Sequence, residues 1–86
     1  MKEFEKILKA FANRRRLAIV AFLKKEKEAT VGNIAEELNL SFKSTSKHLG
    51  ILCAADILER EQKNIYMFYY LSDKQKEISR NIISLV

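Results

Sequence analysis

Apolar residues recur along the chain with helical spacing. Phe4, Ile7, Leu8 and Phe11 stand at i, i+3, i+4 and i+7, which predicts one amphipathic helix over roughly residues 2–12. Asn13, a residue type that caps helix starts, precedes "RRRLAIVAFLKK". In that run Leu17, Ile19, Val20, Phe22 and Leu23 are apolar nearly all round, so the second helix is expected to be central and mostly buried. "KEKEAT" reads as a polar break. Thr30 then caps a third helix with Val31, Ile34, Ala35 and Leu38 on one face. "LNLS" is a tight connection, and Ser41 opens a fourth helix reaching about Ala54. Two short helices joined by about three residues form a helix-turn-helix.

The texture changes after Asp56. "ILERE" and "IYMFYYL" carry β-branched and aromatic residues on either side of "QKN", the signature of a β-hairpin. By period two, Met67, Tyr69 and Leu71 share one face, and Tyr66, Phe68 and Tyr70 the other. One set packs on the helices, and the other calls for an interface or a covering helix. Ser72 with Gln75 reads as an S-x-x-Q capping box opening a last helix, which carries Ile78, Ile82, Ile83, Leu85 and Val86. The predicted architecture is mainly α with a small β-hairpin: four helices, the hairpin and a fifth helix. That is a winged helix-turn-helix in one domain over residues 1–86. A length of 86 residues suits a single small core, and the absence of proline with only two glycines suits helices with short connections.

Charge adds a partner class. The net charge is +5 and the isoelectric point about 9.5, a surplus that favours polyanions. No apolar run approaches the ~20 residues that span a bilayer. Acids interrupt "MKEFEKILKAF", so it does not read as a secretory signal. The lone cysteine, Cys53, excludes an intrachain disulfide, reads as a small core residue and fits a cytoplasmic location. One histidine, one cysteine and no glycine-rich phosphate loop leave no catalytic set, so an enzyme is not expected, nor a metal or cofactor.

The fourth helix carries the chemistry. At about 100° per residue, Thr45, Leu49 and Leu52 form an inward stripe. Lys43, Lys47 and Gly50 lie opposite, with Ser46 beside them, a face suited to phosphates and to base edges in the major groove. Ser41 leaves free backbone N–H groups at a positive helix end. Phe42 has two readings, a contact to a thymine methyl or a staple of the turn into the core. His48 lies at the edge of the inward stripe, either half-buried with one hydrogen bond or touching phosphate. With no second histidine and with Cys53 five residues away, it is a poor metal ligand. Gly50 costs about 1 kcal/mol in a helix interior, so close approach of DNA or of another helix would compensate. Arg60 and Lys63 fall on or near the hairpin tip, with Glu59 and Glu61 beside them. Arg14, Arg15 and Arg16 oppose the dipole of their helix, either as a phosphate cluster or as a solvated face with one arginine paired to an acid. The candidate DNA contacts are Phe42, Lys43, Ser44, Ser46, Lys47, His48, Arg60, Lys63 and Arg14.

Two further stripes need burial: Phe4, Ile7, Leu8 and Phe11 on the first helix, and Ile78, Ile82, Leu85 and Val86 on the last. A two-fold dimer would cover both and set two recognition helices about 34 Å apart, one turn of DNA.

Nearly the whole chain resembles the ArsR family of small winged helix-turn-helix repressors. "LKAFANRRRLAIVAFL" is similar to the family's opening, and "YMFYYLSD" to its hairpin exit. The specific block is "TVGNIAEELNLSFKSTSKHLGIL", close to T-V-x-E-L-A-x-x-L-x-L-S-x-S-T-V-S-x-H-L-x-x-L. The resemblance implies a homodimer through the first and last helices, with each recognition helix in a major groove of a near-palindromic operator. By position, its base and phosphate contacts fall on Phe42, Lys43, Ser46 and Lys47, with His48 flanking. The sequence departs from the family at Phe42, where Gln is common, at Lys43, where Ser is common, and at Thr45, where Val stands. Metal-sensing members carry Cys-x-Cys in the third helix, where this chain reads "VGNIAEEL". Others use Asp and His on the last helix, where Asp73 has no histidine companion. The single cysteine argues against disulfide sensing. Control by concentration, by an organic ligand or by a protein remains open. The rival readings are a winged helix used only for protein contact, and RNA binding by stacking on Tyr66, Phe68 and Tyr70.

Overall fold

A computed structural model describes residues 1–86. The elements are α1 (Lys2–Phe11), α2 (Arg14–Glu26), β1 (Glu28–Thr30), α3 (Val31–Leu38), α4 (Phe42–Ala54), β2 (Leu58–Lys63), β3 (Tyr66–Leu71) and α5 (Glu77–Ser84). The three expected caps are made by side chains. Asn13 Oδ1 accepts from the N–H groups of Arg15 (2.9 Å) and Arg16 (3.1 Å). Thr30 Oγ1 accepts from Asn33 N–H (3.1 Å), and Ser41 Oγ from Ser44 N–H (3.0 Å). Each satisfies an orphan donor at a helix start. Asn39 ends α3 in the left-handed region, with φ 54°, and residues 39–41 make the turn into α4.

The core runs through every helix. Ile19, Val20 and Leu23 of α2 meet Ile34 of α3, Leu49 and Leu52 of α4, Ile57, Leu58 and Tyr69. Ile7, Ala10 and Phe11 close one side, and Ile83 of α5 another. The Thr45 hydroxyl is fully buried and donates to the Ser41 carbonyl (2.8 Å). No buried side-chain polar atom lacks a partner.

The sheet has three strands in the order β1-β3-β2, both pairings antiparallel. β1 lies inside what the sequence reads as a polar break. Its single apolar residue, Ala29, has no periodicity to announce it, and the strand forms because the free edge of β3 takes a partner. Lys27, with φ 79°, turns the chain into it. The hairpin turn is Asn64–Ile65 rather than residues 62–64: Gln62 and Lys63 pair with Met67 and Tyr66, and Asn64 takes φ 60°. Tyr69 is buried on the helix side, while Phe68 and Tyr70 are half-exposed on the other. That outer face stays partly open to solvent. The Lys63 ammonium lies over the Phe68 ring, 5.3 Å from its centroid.

The S-x-x-Q box does not form. α5 starts at Glu77, after Lys76, which supplies no side-chain cap. The Ser72 hydroxyl instead donates to Glu59 on β2 and accepts from Lys74 N–H (3.0 Å). A tertiary carboxylate has taken the group that a local cap would have used. α5 is held by Ile83, by Lys24 Nζ donating to the Ile83 and Val86 carbonyls (3.0 Å each), and by the Lys76–Glu3 ion pair (2.6 Å). The two apolar stripes are partly used within the chain. Ile7 and Phe11 are buried in its own core, and Ile78 and Ile82 pack half-buried against it. Only Phe4, Leu8, Leu85 and Val86 stay exposed.

Candidate nucleic-acid interface

α4 presents two faces, as its spacing predicts. Thr45, Leu49 and Leu52 are fully buried. Lys43, Ser46, Lys47 and Gly50 are exposed, and Ser44 is half-buried beside them. No acid occurs anywhere in Phe42–Ala54, and neither lysine makes an ion pair. Carboxylates gather elsewhere: Glu26, Glu28, Glu36 and Glu37 border one surface cavity beside α3. Charge is therefore segregated, with the cationic side on α4. A Cβ placed on Gly50 would meet no atom within 4 Å, so no helix of this chain explains that glycine.

The arginine cluster divides. Arg14 and Arg15 are exposed and border a shallow cavity with Leu38, Asn39 and Leu40, next to the turn that leads into α4. Arg16 is structural. Its Nε donates to the Ala10 carbonyl (2.6 Å) and its Nη2 to the Lys9 carbonyl (3.1 Å). The guanidinium thus closes the C-terminal end of α1, where a cation is favourable. Its Nη1 donates to His48 Nδ1 (3.2 Å), so α1, α2 and α4 meet on one side chain. No acid is involved, contrary to the ion pair that the sequence offers as one reading. With Nδ1 accepting, the His48 ring is neutral and carries its proton on Nε2. Burial, and then the charges of Arg16, Arg15 and Lys47, hold His48 below its ordinary pKa of 6.5. His48 is thus half-buried with one partner on its Nδ1.

The wing differs from expectation. Arg60 is not at the tip: it pairs with Tyr69 in mid-strand and lies close enough to Cys53 to act on its thiol. Burial outweighs it and pushes that thiol up, so Cys53 is no activated nucleophile. Lys63 sits at the end of β2, but its ammonium is bound to Glu28 (3.0 Å) and that hydrogen bond raises its pKa. The apex itself is apolar: Ile65 is 84% exposed and Tyr66 57%. Phe42 is 64% exposed, which overturns the staple reading. The three side chains border one surface groove of about 300 Å³ with Val31 and Met67. The sequence pattern places Ile65 as the first residue of a strand, whereas the structure makes it the apex of the turn.

A helix-turn-helix with a cationic, acid-free second helix, followed at once by a hairpin, is a winged helix-turn-helix. Residues 11–61 match the family model described as a helix-turn-helix domain. An HTH-type transcriptional regulator of Methanocaldococcus jannaschii is 34% identical over 89 residues, covering 99% of this chain and 100% of that protein. The arsenical resistance operon repressor of Bacillus subtilis is 28% identical over 75 residues, 87% of this chain and 71% of the repressor. The solution structure of a homodimeric winged helix-turn-helix DNA-binding domain from Mycobacterium bovis superposes with a TM-score of 0.83. It is 24% identical, with 98% of this chain and 74% of that one covered. The chain belongs to the ArsR-type helix-turn-helix family of transcriptional regulators, and it is a regulator rather than an enzyme. No helix is long and apolar enough to cross a membrane.

Proposed function

We propose that the chain is a homodimeric, sequence-specific transcriptional repressor that acts in the cytoplasm on double-stranded DNA. One observation carries the reading: the exposed face of α4 offers Lys43, Ser46 and Lys47 with no carboxylate among them. In a major groove, lysines neutralise flanking phosphates and small hydroxyls reach base edges. Phe42, at the first turn of α4, offers an apolar contact for a thymine methyl. Ser44 lies on the same turn. Arg14 is exposed at the start of α2, near the α3–α4 turn, and takes backbone phosphate there. His48 is held by Arg16 and flanks the groove as a positioning residue. The wing contributes less charge than its sequence promises, since Lys63 is paired with Glu28 and Arg60 lies away from the apex. The dimer joins Phe4 and Leu8 of α1 with Leu85 and Val86 beyond α5, the apolar residues that the chain leaves uncovered. The Mycobacterium bovis domain and the Bacillus subtilis repressor support dimerisation and repression respectively.

The test is a titration of random-sequence duplex DNA by fluorescence anisotropy at several salt concentrations, with sedimentation of the protein alongside. Micromolar, steeply salt-dependent binding by a dimer is expected. Absence of binding at low salt would move the function to protein contacts through the Phe42–Ile65–Tyr66 groove.

A further inference from the structure

A trough of about 640 Å³ lies between α1 and α4. Its size is within the usual range for small-molecule sites. Its floor is apolar, made by Ala10, the half-buried Ile51 and the exposed Ala54. Ala10 and Ala54 contribute only a methyl group each, and that is what leaves the space open. The rim is cationic: Lys2, Lys6 and Lys9 stand on one face of α1, and Arg16 closes the end nearest His48.

An ordinary solvated lysine face has acids interspersed to pair with. Here Lys2 and Lys6 make no ion pair. Glu5, the one carboxylate in the lining, reaches Lys9 only at 3.9 Å. Glu3, which also feels the charge of Lys6, is bound to Lys76. Lys2 and Lys6 are like charges at i, i+4, which repel, and Lys2 stands in the first turn, at the positive end of the helix, which also disfavours it. Both costs disappear if an anion sits between them. The lysine face points away from Phe4 and Leu8 around the helix, so a dimer formed through those residues leaves the trough open.

We propose that this trough binds an amphipathic organic anion, a carboxylate with a hydrocarbon chain of medium length. The carboxylate lies between Lys2 and Lys6, and the chain lies on Ala10, Ile51 and Ala54. Two of those floor residues belong to α4, and Arg16 connects the rim to His48 on the same helix. Occupancy therefore biases the helix that presents Lys43 and Lys47. The binding claim stands without any assumption about DNA; the regulatory consequence rests on the DNA reading above.

The experiment is a titration of isotope-labelled full-length protein with decanoate, followed by amide chemical shifts without DNA. Decylamine and inorganic phosphate are the controls. Saturable shifts centred on α1, Arg16 and residues 51–54, seen with decanoate and not with either control, are expected. Lys2→Glu with Lys6→Glu should weaken binding by about ten-fold or more, the scale of a lost charge contact. Ala54→Leu should block the floor while the dispersion of the spectrum stays native. No saturable shifts, equal response to decylamine, shifts centred on Phe42 and Ile65, or full affinity in the lysine variant would each overturn the site. Anisotropy with duplex DNA at saturating decanoate then reads the second half. A changed affinity supports regulation. An unchanged one overturns regulation while the site stands, and a DNA defect in the lysine variant without decanoate assigns those lysines to DNA instead.

Discussion

Replacing Lys43 and Lys47 together by alanine removes the two cations from the exposed face of α4 and nothing from its buried face. Thr45, Leu49 and Leu52 keep their packing, and alanine is at least as good a helix former as lysine, so stability should change by less than about 0.5 kcal/mol. The effect on DNA follows from counterion release. Each lysine that neutralises one phosphate contributes about 0.9 to the slope of log K against log salt. Two lysines in each of two protomers give a loss of about 3.6 in slope. At ~0.15 M salt each contact is worth about 0.7 log units of affinity, so the double variant should bind about a thousand-fold more weakly. Neither lysine has an internal partner to release, so no compensating gain is expected. Anisotropy titrations of a duplex from about 0.05 to 0.3 M salt read both quantities. A slope within about 0.5 of the parent's would refute the assignment of this face to DNA, whatever the change in affinity.

Other perturbations test the remaining parts. Phe4→Glu with Leu8→Glu should give a folded monomer in sedimentation, because both side chains are exposed in the single chain; a surviving dimer places the interface elsewhere. Gly50→Ala should raise stability by about 1 kcal/mol in urea unfolding, since nothing in the chain obstructs the added methyl. Reduced DNA affinity in the same variant would show that the duplex approaches the helix there. His48 titrates lower in the folded state than its ordinary 6.5, through burial first and Arg16 second, so the unfolded chain binds more protons near that pH. Stability should therefore fall as pH drops below about 6.5 and level off beneath the folded pKa, and His48→Gln should flatten that segment of a urea-midpoint profile. A profile identical to the parent's would remove His48 as the source.

The helices could be read from local signals that the structure uses directly. The stripes of α1, α3 and α4 and the caps Asn13, Thr30 and Ser41 involve residues within one or two turns of each other, and sequence spacing encodes them. What escaped depends on partners far along the chain. β1 exists because β3 has an edge to pair, and three residues with one buried alanine carry no period of their own. Ser72 had the spacing of a cap but answers to Glu59 across the turn. Arg16 and His48 are 32 residues apart, so neither shows from the other's position. The stripe of α1 was legible as apolar, but its division was not: Ile7 and Phe11 turn inward, while Phe4 and Leu8 remain exposed. The same limit applied to the wing. Lys63 stands near Glu61 in the sequence, but the carboxylate it binds is Glu28, 35 residues earlier and 3.0 Å away.

We propose that two copies of α4 occupy successive major grooves of one duplex. Selection of a binding site from random DNA, followed by hydroxyl-radical footprinting on the selected duplex, measures this directly. Two protected segments related by two-fold symmetry are expected, with centres about one helical turn or a multiple of it apart, and both should be lost in the Lys43→Ala, Lys47→Ala variant. A single unpaired footprint, or no site enriched over random sequence, would contradict it.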